Sequence, residues 1–131
     1  LRGLTAEMPN VRIIDRDLPP RDLAALVRCT DVLLSLHRAE GFGLAGAEAL
    51  MSGVPLVVCS DGGGLLDLAG TDAVRVTEPS ADGVAAGIAD LLASPSARPA
   101  ARAAGEAWRV RLAPAAVAER AEGWYREALG A

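Results

Sequence analysis

Glu40 and Glu48 stand eight residues apart in the stretch 39–50, AEGFGLAGAEAL, with Gly41, Gly43 and Gly46 between them. Two chemistries compete for these residues. The glycines spell G-x-G-x-x-G, the fingerprint of a dinucleotide-binding turn, in which backbone amides meet a pyrophosphate. The acids describe something else: one carboxylate on each side of a phosphate cradle. A lone G-x-G-x-x-G is weak evidence, and its surroundings count against it. In a dinucleotide turn the first glycine comes directly off the strand, whereas here His37, Arg38, Ala39 and Glu40 intervene after the apolar run 31–36. A carboxylate next to a pyrophosphate is also costly: two unit charges 4–5 Å apart repel by roughly 3–4 kcal/mol at an effective dielectric of 20. Glu40 beside Gly41 therefore makes sense only if it addresses a neutral group next to the phosphates.

The acid reading has its own physical logic. A helix opening at Gly43 to Ala45 presents free N–H groups and the positive end of its dipole to an anion. Gly41 and Gly43 let the backbone approach that anion without a β-carbon in the way. Glu40 precedes the helix, and Glu48 lies about 7 Å along it at ~1.5 Å per residue. A ligand with hydroxyls on both sides of its phosphates fits this arrangement, and a nucleoside diphosphate sugar is such a molecule. A carboxylate accepting from a ribose diol makes charge-assisted bonds worth roughly 1.5–3 kcal/mol.

Strands alternating with helices must position these groups. VRIID (11–15) and the apolar run DVLLSL (31–36) read as strands, the latter buried on both faces. Between them, residues 19–30 carry Leu23, Leu26 and Val27 at helical spacing behind a pair of prolines. The helix after the glycines runs to about Ser52, where Gly53 and Pro55 supply a stop. VPLVVCS (54–60) is the next strand, 61–70 a flexible turn with one helical turn, and AVRV (73–76) a fourth, weaker strand. From Ser80, a helix cap, the pattern turns helical: Val84, Ile88, Leu91 and Leu92 share a spacing, and 94–99 is a loop or helix start. Two more helices follow, one ending near Trp108 and one from Pro114 to Leu129. The fold class expected is α/β: a Rossmann-like parallel sheet of about four strands with flanking helices and a helical C-terminus. Ligands of such sheets sit at the carboxyl ends of the strands, here His37 to Leu44, Ser60 to Gly64 and the loop after Val76.

Composition narrows the partners. A chain of 131 residues with 51% hydrophobic residues is long enough for one domain with a real core. A net charge of −4 leaves no basic stripe for nucleic acid. Cys29 and Cys59 form no C-x-x-C pair and read as reduced, buried thiols, neither a metal nor a redox site. No apolar run approaches the ~20 residues needed to span a bilayer, and no signal peptide is visible.

The register of two acids, three glycines, the helix stop and the proline-containing strand resembles the Glu-x7-Glu motif of retaining GT-B glycosyltransferases of family 4, also called group 1. The resemblance runs from about Asn10 to Ser94, through DLAALVRCTDVLLSLHRAEGFGL and AEALMSGVPLVV. The segment SLHRAEGFGL is similar to that of a bacterial subgroup with S-L-H-R in place of the commoner P-S-R. The resemblance implies that Glu40 is catalytic, contacting the transferred sugar and supporting charge at its anomeric carbon. It implies that the amides of Gly41, Phe42, Gly43 and Leu44 meet sugar hydroxyls and pyrophosphate, and that Glu48 binds the ribose diol. Gly63 and Gly64 resemble a glycine pair near the donor. His37 and Arg38 join the donor-binding set through the same segment. The family uses no bound metal and no cofactor; the donor is a UDP-, GDP- or ADP-sugar.

On this resemblance the chain is the later part of a GT-B C-terminal domain. Residues 1–94 form an incomplete donor-binding region, and 95–131 are helices packed on the same domain. The family's acceptor-binding N-terminal domain, for a glycan, lipid or small molecule, is missing from this sequence. So is the segment that supplies an Arg and a Lys to the diphosphate. The 131-residue chain alone is therefore expected to be inactive, with transfer in glycan biosynthesis a property of a longer protein. That protein is expected in the cytoplasm or at the inner face of the membrane. Two other readings stand beside it: a non-catalytic GT-B-like nucleotide-binding or interaction module, and an NAD-binding Rossmann fragment. Asp61 and Asp67 read most simply as turn or cap residues, and Trp108, Trp124 and Tyr125 as packing residues.

Overall fold

The structure, a computed structural model, describes residues 8–130. Three parallel strands make the sheet: β1 (Leu33–Ser35), β2 (Leu56–Cys59) and β3 (Val74–Thr77), in the order β1-β2-β3. The register pairs Leu33 with Leu56 and Leu56 with Val74. Parallel neighbours need crossovers. Helix α2 (Leu44–Met51) connects β1 to β2, and a 3-10 turn (Gly63–Leu68) connects β2 to β3. Helix α1 (Pro20–Arg28) precedes β1, and α3 (Ala81–Ala93), α4 (Ala97–Arg111) and α5 (Pro114–Leu129) follow β3.

The central strand explains the core. All four residues of β2 are buried, because a middle parallel strand is covered on both faces. On one face Leu56 and Val58 pack with Leu50, Leu65, Leu68, Ala101, Ala104 and Trp108. On the other, Val57 packs with Leu91 and Ala97, supported by Val32 and Ile88. Helix α4 closes over α2 at Gly105, where a β-carbon would lie 2.1 Å from the Leu50 carbonyl oxygen. Ser80 caps α3 as expected, accepting from the Gly83 amide at 3.1 Å. Helix α5 keeps the limits read from the sequence.

Several expectations are corrected. VRIID forms no strand; the segment runs without a ladder and every side chain from Val11 to Asp15 is exposed. A strand is stable only when a neighbour takes its N–H and C=O groups, and β1's outer edge does not pair with it, so the sheet has three strands instead of about four. For the same reason β1 is an edge strand and not buried on both faces: Leu34 and Leu36 are 44% and 42% exposed. The turn 61–70 is more ordered than expected, with Leu65 and Leu68 fully buried. The loop or helix start at 94–99 resolves as a turn followed by α4 from Ala97, which runs past Trp108 to Arg111. Trp108 is a core residue, but Trp124 and Tyr125 are exposed, since α5 buries none of its residues. Cys59 is a buried free thiol; Cys29, at the end of α1, is exposed. Among the described residues no helix is long and apolar enough to cross a membrane.

Candidate functional site

The site lies at the carboxyl ends of β1 and β2, where two loops meet backbone to backbone. The first, 36–43, leads from β1 into α2; the second, 60–64, leaves β2 and includes the first two residues of the 3-10 turn. The Gly64 amide donates to the Glu40 carbonyl at 2.8 Å. This approach demands small residues: a β-carbon on Gly64 would sit 2.0 Å from the Gly41 carbonyl oxygen, and one on Gly63 would sit 2.8 Å from that of Glu40. Gly63 and Gly64 thus seat the Glu40 loop on its neighbour.

Gly43 turns the chain into α2. It is the N-cap, not part of the first helical turn, with φ +81°, and a β-carbon there would meet the buried Leu65 side chain at 2.2 Å. No side chain caps this end. The Gly46 and Ala47 amides bond to the Gly43 carbonyl at 3.0 and 3.1 Å, and the earlier amides, Leu44 and Ala45, lie in the turn that a helix leaves without internal partners. Gly41, by contrast, faces open space. The residues between strand and helix are more numerous than the sequence suggests: β1 ends at Ser35, so Leu36 to Glu40 separate it from Gly41. That spacing is foreign to a dinucleotide turn.

The charged residues fall into two groups. Glu40 is half-buried, and its Oε2 lies 3.8 Å from Nδ1 of His37, a contact too long for a hydrogen bond. Arg38 reaches across to the second loop, where its Nε donates to Asp61 Oδ2 at 3.0 Å. The other carboxylate oxygen of Asp61 is buried with no partner. Asp61 is therefore Arg38's anchor, a role the turn reading missed because the two are distant in sequence. Phe42 keeps its backbone at the rim while its ring turns inward, edge-on to Trp108 at 5.5 Å between centroids.

Glu48 stands apart from this cluster. It is exposed on the same flank of α2 as Leu44, one turn further along. It lines a cleft of about 570 Å³ between α1 and α2, with Leu23, Ala24 and Val27 as apolar wall and Arg28 and Arg109 nearby. Arg109 donates to the Met51 carbonyl at 2.9 Å. Nothing local in the sequence linked Arg28 or Arg109 to Glu48; only the packing of three helices does so. His37, Arg38, Glu40, Gly41, Gly63 and Gly64 come together, Gly43 and Leu44 open the adjoining helix, and Glu48 flanks it.

Comparison with known proteins agrees with this architecture. Sucrose-phosphate synthase from Thermosynechococcus elongatus superposes with a TM-score of 0.80 at 23% identity, over 98% of this chain and 33% of its own. The shared fold is a Rossmann-like C-terminal domain of GT-B type, and this chain spans about a third of the length of that synthase. No curated protein matches the sequence. The family model described as "Glycosyl transferases group 1" matches residues 8–108. The chain belongs to the group 1 glycosyl transferase family.

Proposed function

We propose that this chain binds the nucleoside diphosphate sugar of a retaining glycosyltransferase of family 4. One observation carries the reading. The glycine-led, uncapped start of α2 has Glu40 before it and Glu48 on its exposed flank. The amides from Gly41 to Leu44 and the helix dipole receive the diphosphate. Glu40 lies by the transferred sugar and stabilises charge developing at its anomeric carbon, as a fixed carboxylate does in a partly dry site. Glu48 accepts from the ribose diol, with the apolar wall of the α1–α2 cleft beside it. His37 and Arg38 border the sugar-phosphate side. Residues 1–94 act as the donor-binding part, and the helices of 95–131 brace it. No metal takes part: helix-end amides and basic side chains carry the leaving diphosphate. The acceptor, a glycan, lipid or small molecule, is held by a separate domain of a longer, cytoplasmic or inner-membrane-peripheral protein of glycan biosynthesis.

The test is a titration of UDP, GDP, ADP and NAD into the chain, followed at each backbone amide by NMR. Shifts at Gly41 to Leu44 with one nucleoside diphosphate support the reading and identify the base. Binding of NAD alone overturns it in favour of a dinucleotide site, and silence with all four overturns donor binding by these residues alone.

A further inference from the structure

Ser35 is the one buried polar side chain among the described residues, 4% exposed at the end of β1. A buried hydroxyl keeps its place only with a hydrogen-bond partner. Its partner is the imidazole of His37, the single histidine of the chain, with Oγ 3.2 Å from Nδ1. The same Nδ1 faces Glu40 Oε2 at 3.8 Å, beyond hydrogen-bond range. The ring as a whole is 62% exposed at the rim of the site.

These contacts decide between two neutral tautomers. With the proton on Nδ1, the ring donates to Ser35 Oγ, and the hydroxyl proton is left buried without an acceptor. With Nδ1 bare, the hydroxyl donates to it and the buried donor is satisfied; only spare acceptor capacity is left over, which costs less. We infer that Ser35 is a positioning residue: it fixes the uncharged His37 ring as the Nε2–H tautomer, aiming that N–H from the rim next to Glu40. A ring held in this way offers its Nε2–H to a sugar hydroxyl or phosphate oxygen. That use of the donor rests on the proposed function; the tautomer and its cause do not. The charged groups facing the ring are Glu40 and, one residue along, Arg38, which is engaged with Asp61.

The experiment is long-range proton–nitrogen correlation of the single imidazole, in the ligand-free chain, at a pH well above the ordinary histidine range of ~6.5. Wild type, Ser35→Ala and Ser35→Thr are compared, with the backbone amide spectrum as the check that each folds. The expected result is one tautomer in the wild type, with Nδ1 bare and accepting a hydrogen bond. In Ser35→Ala the Nδ1 signal loses its hydrogen-bond shift and an Nδ1–H population appears, and Ser35→Thr restores the wild-type pattern. If Ser35 were only a small core residue, alanine would serve equally and the ring would not respond. An Nδ1–H ring in the wild type, or an unchanged ring in Ser35→Ala, overturns the inference. Because no ligand is needed, a chain that binds no nucleotide sinks the proposed function while leaving this result to stand or fall by itself.

Discussion

The Gly64 amide and the Glu40 carbonyl meet at 2.8 Å, and this bond joins two loops that come from different strands. The candidate catalytic acid is thus set by a neighbour twenty-four residues away in sequence, and the bond forms only because nothing but hydrogen projects from Gly64. Replacing Gly64 by alanine should destabilise the fold by about 2–3 kcal/mol, since the added carbon meets backbone that cannot step aside. Urea unfolding measures it. A change under about 0.5 kcal/mol would mean that the two loops are not packed as described.

The same substitution elsewhere should do the reverse. Gly123 lies in the interior of α5, where an added carbon meets nothing within 4 Å. Gly123→Ala should stabilise that helix by about 0.5–1 kcal/mol, because alanine loses less backbone entropy on ordering. The test is a rise in the urea midpoint at unchanged slope.

Glu48 and Glu40 should separate by what each variant loses. Glu48→Ala is expected to weaken the bound nucleoside diphosphate by about tenfold, or about 1.4 kcal/mol. Glu40→Gln should leave nucleoside diphosphate affinity nearly intact. In the longer protein, assayed with an acceptor, it should lower turnover by about 10²-fold or more, the scale for losing one electrostatic stabiliser of a transition state. Calorimetry of the chain and steady-state kinetics of the longer protein make the comparison. Equal losses of binding in the two variants would contradict the separate roles.

The two tryptophans should differ sharply. Trp108 is buried in the main core, touches Phe42 edge-on and lies under the Arg111 guanidinium at 4.7 Å. Trp108→Ala should cost about 3–5 kcal/mol and move the amide signals of the Phe42 loop. Trp124 is 68% exposed, and Trp124→Ala should stay within about 0.5 kcal/mol.

Local signals carried much of the architecture. The Gly53 stop, the Ser80 cap and Pro114 at the start of α5 depend on the chain's own backbone, so their residues announced them. The apolar run of β2 was legible too, because a strand covered on both faces carries no polar alternation. The register of Glu40, the glycines and Glu48 likewise needed only one strand-to-helix turn, and it pointed to the family that the comparison established.

What the sequence could not decide were the matters settled by neighbours distant along the chain. VRIID has the composition of a strand, yet a strand exists only through a partner, and composition carries no partner. Trp108 and Trp124 both sit in helices; which one is buried depends on what packs against each helix. Asp61 became Arg38's anchor because β1 and β2 end side by side and their loops fold over one another. The sequence by itself determined the helices, the turns and the residues able to do chemistry, since helix caps, periodicity and glycine turns act within a few residues. Only the tertiary structure decided which of those residues meet, because hydrogen bonds and burial are set by distances between segments that the chain order does not encode.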